Sequence, residues 1–281
     1  MSRIDLHTHT NFSDGSFSPT ALVELAHQKD LDILAITDHD TTQGLTEAME
    51  AAQSLPLELI PGIELSTEFQ GRETHILGYF IDPLDLRFQT RLERLRSTRL
   101  DRIQHILDRL HTLNVEISLA EVKHVAGSGT IGRPHIAQIL IEKGYVKGMK
   151  EAFERFLGVR GTAYVRRAVP EAAEIITWIT DAGGLPILAH PYWDGLNADE
   201  IVASCRTLVD RGLRGLEVFY GGFSARQISL NLHLARQFSL LITGGSDFHG
   251  TFRPDLSIGT GRGSLHVPSK VIDPLRQAAG R

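Results

Sequence analysis

Short runs of aliphatic residues recur along the chain, and most of them end in histidine or a carboxylate. "RIDLHTHT" (3–10) is the first. "LDILAITDHD" (31–40) is nearly continuous in its apolar part, at Leu31, Ile33, Leu34, Ala35 and Ile36. Such a run suits a strand buried on both faces, as in a parallel sheet. Five further strands are predicted, at "LELIPGIELS", "ETHILGYF", "LPILAHP", "LRGLEVFY" and "LLITGGSDFH". Helical patterns lie between several of them. "SPTALVELAHQKD" offers Ser18 as an N-cap and Pro19 at the first helical position. "TTQGLTEAMEAAQSL", "EAAEIITWITDAGG" and "SARQISLNLHLARQF" supply three more helices. This alternation predicts an α/β fold on a parallel sheet, and seven strands can close into a barrel.

The rhythm breaks in the middle. Leu92, Leu95, Leu100, Ile103, Ile106, Leu107 and Leu110 recur at helical spacing over a long segment. "RPHIAQILIEKG" is a second helix, ended by Gly144, and "MKEAFERFLG" a third. No Pro/Ser-rich linker flanks this block. The expected organisation is therefore a barrel from 1–83 and 165–281, with a mainly helical insertion, 84–164, covering the active-site cleft.

Composition narrows the function. Of 281 residues, 42% are hydrophobic and 22% charged, which describes a globular chain with a real core. The net charge of -5 gives no basic excess for a DNA duplex. The single cysteine, Cys205, rules out an internal disulfide and a thiolate metal site. No signal-peptide pattern and no apolar stretch of ~18 residues is seen, so a cytoplasmic location without membrane contact is expected. Histidine is abundant, with thirteen copies.

The metal-capable residues are concentrated at strand ends. His7, His9 and Asp14 follow the first strand, and Asp38, His39 and Asp40 end the second. Glu64 ends the third, His190 the fifth, and Asp247 and His249 the seventh. In a parallel barrel these ends form one rim, where active sites lie. His75 is the exception, because it falls early in its run. A lone histidine after a strand is usually a satisfied core or surface residue. Histidines and carboxylates recurring at strand ends would instead be each other's neighbours, and buried groups of this kind need partners. A metal cluster would satisfy them together. Imidazole with carboxylate suits Mn, Zn, Fe or Ni.

The motifs "HTHT" with Asp14, "TDHD", "PGIELS", "HILGYF", "LAHP" and "SDFH" resemble the PHP (polymerase and histidinol phosphatase) family from residue 4 to about 250. The resemblance implies a distorted (β/α)7 TIM-like barrel, a trinuclear metal site and phosphoesterase chemistry. It assigns His7, His9, Glu64 and Asp247 to one ion. Glu64, His75 and His190 go to a second, and Asp14, His39 and His249 to a third. None of the nine positions is substituted. Manganese is the first expectation for the three divalent ions, with zinc or iron as alternatives. Against three carboxylates the ions would leave a local charge of about +3 to hold an anion. The expected nucleophile is a hydroxide bridging the ions that share Glu64; no general acid is identified.

"TIGRPHIAQILIEKG", "AYV" and "EAAEIITWITDAGGLPILAHP" resemble the branch that hydrolyses nucleoside 3',5'-bisphosphates and trims short RNA from its 5' end. The implied activity is removal of the 3'-phosphate from a nucleoside 3',5'-bisphosphate. The alternatives are a 5'-3' exoribonuclease on short 5'-phosphorylated RNA and a histidinol-phosphate phosphatase, with a non-catalytic metal-binding module last.

Outside the ligand set, Arg133 and His135 in "GRPH" fit a helix start, where free amides favour phosphate. Arg99 and Arg102 share a stripe with Leu95 and Ile106 and are candidates for a second phosphate; a solvated face with Arg91, Arg94 and Arg96 is the competing reading. Arg166 and Arg167 are further candidates. Asp38 and Asp40 are expected to orient imidazoles from behind, with strand capping as the alternative. Glu217 ends strand six on the same rim. Trp178 and Trp193 could stack on a base, although core packing is commoner for such residues.

Overall fold

The computed structural model describes residues 3–127, 129–191 and 195–281. Seven strands follow one another around a single sheet: β1 (Ile4–Asp5), β2 (Ile33–Ile36), β3 (Glu58–Phe69), β4 (Arg72–Tyr79), β5 (Leu185–Leu188), β6 (Gly215–Tyr220) and β7 (Leu241–Gly245). The ring is nearly closed. Leu6 donates its amide to Gly244 O at 3.2 Å, and Asp247 N donates to His7 O at 2.9 Å. Gly245 allows this approach, since a Cβ there would lie 2.4 Å from His7 Cβ. The fold is thus the α/β barrel that the alternating pattern predicts.

One feature of the sheet departs from expectation. β4 runs antiparallel to both β3 and β5, whereas the other paired neighbours are parallel. Only Gln70 and Gly71 separate β3 from β4, both with positive φ (51° and 76°). A parallel partner needs a crossover of a dozen residues or more, and a two-residue turn of this hand makes a hairpin. The reversal also accounts for His75. In a strand running the other way, the early residues lie at the rim where its neighbours end. His75 pairs with Ser66, two residues past Glu64.

The helices are α1 (Pro19–Gln28), α2 (Leu45–Ala52), α3 (Leu86–Thr112), α4 (Leu119–Ala126), α5 (Arg133–Glu142), α6 (Met149–Ala152), α7 (Ala172–Asp181), α8 (Ala198–Asp210), α9 (Ala225–Gln237) and α10 (Ile272–Ala278). A π-helical turn, Phe153–Leu157, continues α6 where one regular helix is expected. Ser18 caps α1 as the sequence suggests, its Oγ accepting from Ala21 N at 3.2 Å.

Strand alternation separates two apolar layers. Leu34 and Ile36 pack with the surrounding helices, while Ile33 and Ala35 join Ile4, Leu77, Ile187 and the α10 residues. α3 belongs to two cores. Its early residues Phe88, Leu92 and Leu95 pack on the barrel with Ile175 and Ile179 of α7. Its later residues Ile103, Ile106 and Leu110 build a separate cluster with Val122, Ile136, Leu140 and Phe156. Between the two cores the apolar stripe is interrupted by Arg99 and Arg102, which line the cleft separating barrel and insertion.

Candidate metal centre

Glu64 is the hub of the rim. It is fully buried, and five imidazole nitrogens approach its two oxygens. His75 Nδ1 and His190 Nε2 face Oε1 at 2.8 and 2.9 Å; His7 Nε2, His9 Nε2 and His39 Nδ1 face Oε2, each at 3.2 Å. Asp247 Oδ1 lies 3.2 Å from His9 Nε2 and 3.5 Å from both His7 Nε2 and His249 Nδ1. Asp14 Oδ1 lies 3.3 Å from His249 Nε2 and 3.8 Å from His39 Nε2. All nine residues that the family resemblance marks as ligands therefore meet at one rim.

His7 and His190 hydrogen-bond to Glu64, but most of the other contacts are not hydrogen bonds. Both ring nitrogens of His9, Nδ1 of His39, Nδ1 of His75 and Oδ1 of Asp14 are buried and have no hydrogen-bond partner. Leaving so many buried polar atoms unmatched would cost ~1–3 kcal/mol each. Divalent cations among them would satisfy imidazole lone pairs and carboxylate oxygens at once, so the donor set fits metal. Three overlapping groups have ligand atoms within 4.8 Å of one another: His7, His9, Glu64 and Asp247; His9, Asp14, His39 and His249; and His39, Glu64 and His75. The first repeats the set implied by resemblance. The second adds His9 to the implied third set. The last contains His39 rather than His190, although His190 touches Glu64.

The protonation tendencies are mixed: against the effect of burial, the neighbouring carboxylates raise His7 and His75 and push His9 up to about 9. Burial works against ionising Asp14, Glu64 and Asp247, yet the surrounding histidines hold all three well below the usual carboxylate range. Burial pushes His39 down to about 3, which leaves a neutral imidazole with a free lone pair.

The scaffold holds the ligands from behind. Glu217, buried on β6, accepts from His7 Nδ1 at 2.9 Å and from His190 N at 2.7 Å. It fixes the His7 tautomer with Nε2 turned to the cluster. Tyr220 donates to Asp247 Oδ2 at 2.8 Å, and Arg253 pairs with the same oxygen. His190 and Asp247 have left-handed backbone angles (φ 23° and 57°), each costing ~1–3 kcal/mol that the surrounding contacts must offset.

Asp38 and Asp40 act differently from expectation. Asp38 accepts from Thr10 N, Thr10 Oγ1 and Ser13 Oγ at 2.5–2.7 Å, so it braces the loop between His9 and Asp14 rather than an imidazole. Asp40 accepts from Arg99 Nε and Arg167 Nη1, both at 2.7 Å, and from Ser66 N at 2.9 Å. It orients arginines. A short carboxylate reaches the groups its own backbone turn presents, and that turn is invisible in the residue order.

The cleft above the ligands has a volume of about 870 Å³. Asp14, Glu64 and His190 are at its floor, and Arg99, Arg102, Arg133, Arg167 and Arg253 are among its walls. Arg133 opens α5 as expected, and its Nη1 donates to Leu157 O at 3.2 Å. His135 does not line the cleft. It is buried, and its Nδ1 accepts from Gly132 N at 2.9 Å, capping its own helix. The spacing that puts His135 three residues past the cap also suits this capping role. Arg166 is exposed and pairs with Glu68. Trp178 is packed in the core with Arg91 over its ring at 5.5 Å. Trp193 lies outside the described residues. Arg253 and Tyr220 carry no strand-end metal signature, so nothing in the residue order marks them.

Imidazoles and carboxylates converging on a barrel rim beneath an arginine-walled cleft define a metal-dependent hydrolase site. The chain belongs to the PHP family: the PHP domain matches residues 5–184. It is similar to the 5'-3' exoribonuclease of Haemophilus influenzae, at 33% identity over 247 residues, which is 88% of this chain and 90% of that protein. It is also similar to the 3',5'-nucleoside bisphosphate phosphatase of Chromobacterium violaceum, at 30% identity over 258 residues, covering 89% and 88%. A solved structure from Bifidobacterium adolescentis, described as a metal-dependent phosphoesterase, superposes with a TM-score of 0.89 at 31% identity, covering 98% and 96%. The activity these findings support is phosphoester hydrolysis. Among the described residues, no helix is long and apolar enough to cross a membrane.

Proposed function

We propose that the protein removes the 3'-phosphate from nucleoside 3',5'-bisphosphates, such as adenosine 3',5'-bisphosphate. One observation carries this reading: the cleft has two separate places for an anion. One is the ligand cluster around Glu64. The other is the wall formed by Arg99, Arg102 and Arg133. A substrate with two phosphates can engage both, whereas a simple monoester engages one. The similarity to the Chromobacterium violaceum phosphatase supports the same choice.

His7, His9, Asp14, His39, Glu64, His75, His190, Asp247 and His249 would hold three divalent ions, with manganese preferred. Bound there, such ions supply an acidified water and neutralise charge on the phosphoryl oxygens. The chain's own residues do the rest. Glu217 and Tyr220 fix the ligands in place. The arginine wall holds the remote phosphate and so sets which ester oxygen faces the cluster, the kind of positioning that lowers a barrier by reducing lost freedom. The start of α5 and the Arg99–Ile103 stretch of α3 line the cleft from the insertion side.

The second reading is 5'-3' trimming of short RNA, favoured by the similarity to the Haemophilus influenzae exoribonuclease. Both activities use one cleft and need no membrane or DNA duplex. Purified protein with Mn should release phosphate from adenosine 3',5'-bisphosphate. A 5'-phosphorylated trinucleotide, followed for mononucleotide products, separates the second reading from the first. Turnover of histidinol phosphate without turnover of either nucleotide would refute both.

A further inference from the structure

We propose that Glu73 is an internal counter-anion: in the free protein its carboxylate fills the place between Arg102 and Arg133 where the substrate's second phosphate is held. The inference rests on the two-anion reading of the cleft.

The argument begins with how the two guanidiniums are fixed. Arg102 Nε donates to Val165 O at 2.7 Å, and its guanidinium carbon sits 5.5 Å from the Tyr164 ring centre. Arg133 Nη1 donates to Leu157 O at 3.2 Å, with its guanidinium 5.7 Å from the Phe153 ring centre. Each is held by one carbonyl and one aromatic face, all from residues 153–165, where the insertion returns to the barrel. Both arginines line the cleft. There the only carboxylate bridging the two, among the described residues, is Glu73. Its Oε1 is 3.4 Å from Arg102 Nη1 and 3.8 Å from Arg133 Nη2. Those are loose pairings, well short of the 2.7–2.9 Å of a good charge-assisted bond.

The second observation points to a missing partner. The Arg102 side chain is only 8% exposed, and its Nη2 is buried with no hydrogen-bond partner. A buried donor of this kind is costly. Glu73 reaches the corner from β4 and turns one oxygen, Oε1, toward both arginines, leaving Arg102 Nη2 without a bond. A phosphate has three oxygens and fits such a fork bidentately. Glu73 is partly exposed, at 27% of its side chain, so it has somewhere to swing.

The consequence is selectivity. A ligand with a second phosphate must displace Glu73, and it regains better bonds to both arginines. A ligand with one phosphate leaves Glu73 in place. The carboxylate also keeps the two like charges from repelling one another when no ligand is present.

The test uses the full-length, metal-replete protein, with Glu73→Gln beside wild type. KM is measured for adenosine 3',5'-bisphosphate and for adenosine 3'-monophosphate, which lacks the second anion. Glu73→Gln should shift the ratio of the two KM values about tenfold in favour of the bisphosphate, since a like charge close to the incoming anion has been removed. Adding Arg102→Gln should cancel the gain. An unchanged ratio, or a weaker bisphosphate KM, would overturn the inference and make Glu73 a brace for the arginines. If wild type turns over neither nucleotide, the proposed function falls, and calorimetric binding of the unhydrolysed adenosine 3',5'-bisphosphate, which carries the second anion, decides the inference alone. Tighter binding to Glu73→Gln, by about tenfold, supports it; equal or weaker binding overturns it. Thermal unfolding of each variant confirms that the fold persists.

Discussion

Asp40→Asn should be one of the more destabilising single-atom changes in this protein. Asp40 is fully buried and receives Arg167 and Arg99 on the same oxygen, both at 2.7 Å. Arg167 is 2% exposed in its side chain. Its remaining contacts are Thr98 Oγ1 and Leu95 O, which accept hydrogen bonds but do not neutralise charge. Removing the partner of a buried ion pair costs ~3–5 kcal/mol, because the other charge is left uncompensated. Arg99 is 15% exposed and borders the cleft, so it can recover some hydration. That favours the lower part of the range. With 281 residues and an unfolding entropy of ~2.1 cal/mol/K per residue, ~3 kcal/mol corresponds to a fall in Tm of about 5 °C. Calorimetry should be run with EDTA, so that loss of metal at the neighbouring His39 does not add to the shift. The double variant Asp40→Asn/Arg167→Met should recover most of the loss, since it removes the stranded charge. The reasoning is refuted if the single variant shifts Tm by less than about 1 °C, or if the double variant is no more stable than the single.

Other outcomes follow from the same contacts. Glu217→Gln should weaken metal binding by about 10–100-fold while leaving the fold intact, because one amide cannot accept from both His7 Nδ1 and His190 N; metal titration read by activity checks it. Gly245→Ala should cost about 3 kcal/mol in a urea titration, since its Cβ would collide with His7 at the barrel seam. Cys205 is buried, and burial pushes its thiol up to about 11. Its reaction with a thiol reagent should therefore be very slow at pH 8 in the native state and rise roughly tenfold per pH unit toward 11, because only the thiolate reacts. The same shift makes the neutral thiol the favoured native form. Its stabilising effect is present below pH 9 and is lost as the pH rises through about 11. A fast native reaction at pH 8 would show that Cys205 is reachable.

The sequence places the candidate ligands on one rim because strand ends are local. A buried aliphatic run followed by histidine or carboxylate places those side chains on the rim whatever the rest of the chain does. His7, His9, His39, His190 and Asp247 follow that rule. The direction of β4 was also written in the chain, in the short interval between "PGIELS" and "HILGYF". An interval too short for a crossover requires a hairpin, and a strict alternation of strand and helix hides that. The partners of Asp38, Asp40 and His135 could not be read in the same way. A short polar side chain bonds to whatever the local backbone turn presents, and Asp40 sits in a left-handed turn (φ 55°). Arg253 and Tyr220 join the site through Asp247, a contact that only the closed ring creates.

The arginine side of the cleft depends on the insertion having a core of its own. Arg99 and Arg102 occupy the stretch of α3 between two apolar clusters, one packed on the barrel and one inside the insertion. Neither cluster could accept a guanidinium there, so the helix can carry charge at this point without weakening either. Arg133 comes from α5, whose Ile136 and Leu140 anchor it in the insertion cluster. Arg167 comes from the segment returning to the barrel and is tied to Asp40, the residue after His39. The two ends of the cleft are thereby joined by one buried carboxylate. In a net acidic chain, Arg99, Arg102, Arg133, Arg167 and Arg253 concentrate positive charge at this cleft. Packing in two cores supports that wall and the candidate ligand cluster, so the proposed bisphosphate would have to span the interval between them.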